Sequence, residues 1–263
     1  MQLRPSHEYC DRVQQLWDQL IDFEAGELEP ALNHCMRGLS KLIAASNVTW
    51  VGFVRLVSPR DAAFGWRPRI LRVLHPAAAM EERMKRDRLR LKRGTADVTT
   101  VEVWRGAGSF RAHRFCDLVE PDWFESDYYR DQFLSQGIHD ALFSYYPINS
   151  QSESAFGLFR GADMPPFSEA EREELAYAVR GIKWFHRRLL LAHGLLVASK
   201  PITPTERRVL QELLKGEPEK TIAAELGQTY NSTHEHVANI YRKFGINSRS
   251  ELMAIWLGKQ FAR

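Results

Sequence analysis

The chain has 263 residues, 44% hydrophobic and 26% charged, with 36 Lys plus Arg against 33 Asp plus Glu. This composition excludes collagenous and disordered classes and supplies enough apolar material for a core without disulfide staples. A net charge of +3 carries no bulk signal for a nucleic-acid partner. Cys10, Cys35 and Cys116 are far apart and form no CxxC pair, so neither a zinc site nor a disulfide framework is expected. Three reduced thiols are the expectation, with a redox-responsive thiol as the alternative. Met1 to Asp22 carries no apolar signal-peptide core, and no apolar run reaches the ~18 residues of a membrane span, so a cytoplasmic protein with no membrane partner is expected.

The first element is a helix, with Val13, Leu16, Trp17, Leu20 and Ile21 on one face and Gly26 beyond its end. A second helix places Leu28, Leu32, Cys35, Met36, Leu39 and Ile43 on its buried side. The pattern then changes. Residues 48–57 (VTWVGFVRLV) are apolar on both alternating faces, as in a central strand covered on both sides. Residues 69–75 predict a second strand, helical sequence resumes near Pro76, and VTTVEVW at 98–104 reads as a further strand. A hairpin fits 141–148 and 154–160, joined by the polar turn 149–153. Ser168 and Glu171 have capping-box spacing at the start of a long helix. Leu175, Ala178, Ile182, Phe185, Leu189, Ala192 and Leu196 fall on its heptad positions, predicting either a coiled-coil contact between two subunits or packing on the chain's own sheet.

After a boundary at Ala198–Pro201, Thr203, Pro204 and Glu206 form a second helix start, followed by Val209, Leu210, Leu213 and Leu214 and a stop at Gly216. Ile222, Ala223, Ala224 and Leu226 make a short helix that ends at Gly227, where a tight turn needs left-handed backbone. The next helix carries a buried stripe of Val237, Ile240, Tyr241 and Phe244 and stops at Gly245. A fourth begins near Ser250.

Residues 202–255 resemble the LuxR-type helix-turn-helix domain. The matching residues are Thr203, Glu206, Val209, Leu210, Gly216, Ile222, Ala223, Leu226, Gly227, His236, Val237, Asn239, Ile240, Arg242, Lys243, Gly245, Ser248, Arg249 and Glu251. The resemblance implies double-stranded DNA as partner, with a helix entering a major groove wide enough for one. It assigns base contacts to His234, Glu235 and Ala238 and backbone contacts to Thr229, Asn231, Ser232, Arg242, Lys243 and Arg249. The sequence departs from the family where His234 replaces a usual Lys, Thr233 a usual Val, and an acidic Glu235 lies on the reading face. Residues 201–263 hold nine basic and seven acidic side chains. One such domain neutralises few phosphates, so a homodimer on a two-fold site is expected.

Residues 10–193 resemble GAF and PAS-like sensor domains in element order, most closely at PPFSEAEREEL, 165–175. The segment 127–138 resembles one found in sensor halves attached to LuxR-type domains. The expected fold class is α+β. A GAF/PAS-like α/β sandwich with an antiparallel sheet spans 1–195, a linker 196–201, and an all-α four-helix domain 202–263. Aromatic residues suit an apolar pocket, with Trp50, Phe53, Trp104, Trp123, Tyr128 and Tyr129 as candidate small-molecule contacts. The Trp, Tyr and Asp-Pro pattern of acyl-homoserine-lactone sensors is missing, since Asp-Pro occurs nowhere, so that ligand class is only an alternative. So is a ligand-independent first domain that dimerises or binds a protein. The basic run Arg83–Arg93 reads as a solvated face or an auxiliary contact. The histidines have no ligand-like spacing, and no Ser–His–Asp, phosphate-loop or HExxH motif occurs, so neither metal, cofactor nor enzymatic activity is expected.

Overall fold

The computed structural model describes residues 5–56, 63–77, 86, 89–90, 93, 96–196, 198 and 202–259. The expected helix after Pro76, most of the basic run and most of the 196–201 linker lie outside these residues. The chain packs as two compact units, Met1–Trp17 with Asn33–Lys183, and Asp18–Leu32 with Trp184–Arg263.

The first unit is built on a five-stranded antiparallel sheet in the order β2-β1-β5-β4-β3. The strands are β1 (Asn47–Arg55), β2 (Trp66–Val73), β3 (Arg111–Arg114), β4 (Asp140–Asn149) and β5 (Ser152–Arg160). Strand alternation sorts the side chains. Val48, Trp50, Leu142, Ser154, Phe156 and Leu158 share one face and are all fully buried. The helices α1 (His7–Ile21), α2 (Leu28–Leu42) and α5 (Glu169–Arg180) serve this side. On it, Arg160 donates to the carbonyls of Ile43 and Ala44 at the end of α2, and it pairs with Glu171 in the first turn of α5. On α1, the Tyr9 hydroxyl and Trp17 Nε1 donate to Glu174 and Ala178 carbonyls. The second-helix stripe is buried throughout, whereas Ile21, expected on the buried face of the first, is 63% exposed.

The other face carries Thr49, Phe53, Ala141, Phe143, Tyr145, Ala155, Gly157 and Phe159. Residues 96–138 cover it through α3 (Val98–Arg105), α4 (Asp127–Gln132) and short 3-10 turns. Two elements correct the sequence expectation. Residues 98–105 form α3, not a strand. Asp97 caps it by accepting from the Thr99 N–H, and Thr99, Val103 and Trp104 then share a buried helical face. That packing overrides the strand preference of the β-branched run. The long helix after Ser168 breaks at Gly181, leaving α5 and α6 (Lys183–Ala192). All seven heptad residues are buried, so these positions are not exposed for a coiled-coil contact with a second subunit.

In the second unit, four helices follow one another: α7 (Pro204–Lys215), α8 (Glu219–Leu226), α9 (Tyr230–Phe244) and α10 (Arg249–Trp256). Thr203 and Glu206 satisfy each other's backbone N–H groups at the start of α7. Gly227 ends α8 at φ +64°, a conformation that costs a side chain but lets the chain reverse directly into α9. Val209, Leu213, Ile222, Val237, Ile240, Leu252 and Ile255 interlock as the apolar core. Elsewhere in this unit, Arg187 donates to the Ile255 carbonyl, and His193 lies between the Leu189 carbonyl and Glu29.

Candidate nucleic-acid interface

The α8–turn–α9 pair sets up a two-sided helix. Thr229 caps α9 by accepting from the Ser232 N–H at 3.1 Å, and the two hydroxyls lie 2.9 Å apart. Thr233, Val237, Ile240 and Phe244 turn inward. Thr233 is completely buried, and its hydroxyl is answered by Gln228 Oε1, which accounts for a Thr where an apolar residue is usual. Asn231, Ser232, His234, Glu235, Ala238 and Arg242 are exposed together along the opposite side.

Two residues expected at this surface are engaged within the unit. Lys243 Nζ donates to Glu206 Oε2 at 2.6 Å, with side chains only 17% and 5% exposed. Burial pushes the Glu206 carboxyl up, but the Lys243 ammonium and the Thr203 N–H outweigh it and hold it below its ordinary value. Arg249 donates to the carbonyls of Gly216 and Glu217, tying α10 to the loop after α7. His234 is exposed but not isolated. Its Nδ1 lies 2.9 Å from Glu219 Oε2, and its ring lies nearly parallel to that of Tyr230 one turn earlier. Neither Glu219 nor Tyr230 was singled out in the sequence; the role of Glu219 depends on how α8 crosses α9, whereas Tyr230 lies one turn before His234 on the same helix.

Residues 200–256 match the family described as "Bacterial regulatory proteins, luxR family". The C-terminal segment is a LuxR-type helix-turn-helix domain. The LuxR-type segment is also 42% identical over 52 residues to the transcriptional regulatory protein UhpA of Escherichia coli strain K12, and equally to that of Salmonella typhimurium strain LT2. Those matches cover 20% of this chain and 26% of each relative, so the chain spans about a quarter of the length of these curated relatives. Among solved structures, a complex of SdiA with octanoyl-rac-glycerol aligns with 96% of the chain and 95% of its own at 14% identity and TM-score 0.49. The LuxR-family factor CepR2 of Burkholderia cenocepacia, described as N-acylhomoserine-lactone dependent, aligns with 69% of this chain and 98% of its own at 15% identity and TM-score 0.47. At these scores neither likeness decides what this chain binds.

The six residues proposed for a small molecule divide into three places. Phe53 and Trp104 meet edge to face at 4.9 Å in a cluster with Trp66, which stacks on Trp104. Trp123, Tyr128 and Tyr129 belong to a second cluster around Phe115 and Phe133, on the same side of the sheet. The polar tips there are anchored, Trp123 Nε1 on Asp97 and the Tyr129 hydroxyl on the His139 carbonyl. Trp50 lies on the opposite, α2-facing side, with Nε1 on Ser154 Oγ at 2.8 Å. The structure therefore brings five of the six to one face and separates the sixth.

The sequence reading missed the polar groups of that face. Arg111 and Glu153 form a buried pair at 2.8 Å, and Glu153 also accepts the Gly108 N–H. The Arg111 guanidinium lies over the rings of Tyr145 and Trp104. Gln132 on α4 is fully buried, and among the described residues neither its Oε1 nor its Nε2 has a hydrogen-bond partner. A lone Gln in a polar stretch gives no sequence signal of this kind.

Burial pushes the Cys35 and Cys116 thiols up, and at Cys116 it outweighs the nearby Arg114, so neither site favours a reactive thiolate. Among the described residues no group of His, Cys, Asp and Glu is arranged to hold a metal, and no helix is long and apolar enough to cross a membrane.

Proposed function

We propose that the chain is a transcription regulator that acts in the cytoplasm. In this reading α9 enters the major groove of double-stranded DNA, and the first unit takes up a small molecule that governs DNA binding. The observation that carries the DNA reading is the α8–turn–α9 unit, with its inward stripe satisfied and a continuous exposed face from Asn231 to Arg242. Arg242 contacts phosphate, while His234, Glu235 and Ala238 face base edges. Thr229, Asn231 and Ser232 bring the start of the helix to the backbone. Lys243 and Arg249 serve by holding α9 and α10 in place. The modest excess of basic residues in the LuxR-type domain supports binding as a homodimer.

Support for a ligand comes from five aromatic candidates on one face of the sheet and from Gln132, whose buried amide lacks a partner among the described residues. An unpaired buried amide is costly, and a ligand that bonds to it removes that cost. The DNA reading is tested by selecting bound duplexes from a random pool with the full chain. Enrichment of a two-fold site supports it, and failure to enrich any sequence over a range of salt sinks it. The ligand reading is tested by mass spectrometry of small molecules released from the purified protein and from a Gln132→Leu variant. A compound retained by the wild type and lost from the variant supports it. Absence from both, with DNA binding intact, favours a first unit without a ligand.

A further inference from the structure

We propose that His234 reads an exocyclic amino group in the major groove through its Nε2, with Glu219 as the positioning residue that fixes which ring nitrogen is free to accept. The inference rests on the reading of α9 as the groove helix and deepens it to a class of base.

His234 Nδ1 lies 2.9 Å from Glu219 Oε2. A carboxylate only accepts, so the nitrogen facing it must carry the proton. In the neutral ring that leaves Nε2 as a lone-pair acceptor. The ring is held from a second side by Tyr230, nearly parallel at a centroid separation of 6.1 Å. Glu219 is anchored on α8, and its side chain is 24% exposed against 63% for His234, so the more buried group directs the more exposed one. Among the described residues Nε2 has no protein partner. Glu235, the next residue on the same surface, is also exposed and also only accepts.

The major-groove code then selects the partner. Adenine N6 and cytosine N4 are the amino donors on that edge, whereas guanine presents only the acceptors N7 and O6. Two neighbouring acceptors therefore favour adenine or cytosine and oppose guanine. A Lys at position 234 would have the reverse preference, since an ammonium only donates.

The test uses the full-length chain at about pH 8. Duplexes selected by the wild type are remade with each base at every half-site position, and affinities are compared for wild type, His234→Ala and Glu219→Ala. At one position the wild type should favour adenine or cytosine over guanine by about 3- to 10-fold, the worth of a single hydrogen bond. His234→Ala should flatten that position to within about twofold and leave the others unchanged. Glu219→Ala should weaken the preference at the same position; a merely structural loss would lower affinity for all four bases alike. Replacing the preferred adenine by purine, or cytosine by pyrimidin-2-one, removes only the amino group and should erase the preference in whichever case applies. A guanine preference at the affected position, or unchanged base preferences in His234→Ala, would overturn the inference and leave the groove reading standing. If no duplex is bound at all, the groove reading itself falls, and this inference with it.

Discussion

Lys243→Met would leave a buried carboxylate without its cation. Glu206 keeps the Thr203 N–H at 2.8 Å but loses the ammonium at 2.6 Å. Removing one partner of a buried ion pair costs about 3–5 kcal/mol. Here Lys243 is partly accessible and one charge-assisted bond survives, so a loss of about 2–3 kcal/mol is expected. In a unit of this size each kcal/mol lowers Tm by about 4–8 °C, so the melt should fall by roughly 8–24 °C. The pH dependence has a definite sign. The folded-state pKa of Glu206 is depressed, so its contribution is present above the unfolded value of about 4.3 and is lost as pH falls through the folded value. In Lys243→Met burial is no longer outweighed, so the deficit should be largest near neutrality and shrink on acidification. Circular dichroism melts of the full chain from neutrality down to about pH 4 measure this. A Glu206→Gln, Lys243→Met double variant should recover part of the loss, because no charge is then stranded. A variant that melts within about 2 °C of wild type while losing one unit of salt slope on DNA would refute the reasoning and return Lys243 to the phosphates.

Other expected outcomes separate packing from binding. Arg242→Ala should weaken binding to all duplexes alike and lower the salt slope by about one, with an unchanged melt, because Arg242 is exposed. Gly181→Ala would place a methyl carbon 2.4 Å from the Trp17 ring, and such overpacking should cost about 1–3 kcal/mol, visible as a lower denaturant midpoint followed by tryptophan fluorescence. Glu153→Ala strands the Arg111 guanidinium and the Gly108 N–H, so a loss of about 3–5 kcal/mol is expected in the first unit. An Arg111→Met, Glu153→Leu pair should melt well above that single variant; if it does not, the buried pair holds more than its own charges.

Local signals were legible where chemistry repeats at short range. Thr203 with Glu206, Ser168 with Glu171, and Gly216, Gly227 and Gly245 each marked a helix end in the sequence, and each marks one in the structure. The 141–160 hairpin was readable from two apolar runs about a polar turn, and the central strand from a run apolar on both faces. Propensity misled at 98–105, where the β-branched run read as strand. The Asp97 cap was the local sign of a helix, and burial of Val103 and Trp104 made it decisive.

Thus the amino-acid order by itself determined the LuxR-type scaffold, because caps, turns and a helical stripe are set within a few residues of one another. It also determined the α+β class, since the change of hydrophobic period is local. Tertiary structure alone decided which side chains remain available. Lys243 is drawn to Glu206 from 37 positions away, and Glu219 reaches His234 across 15. The heptad positions are buried as well. Each of these depends on where a distant element packs, and no spacing within the sequence records that.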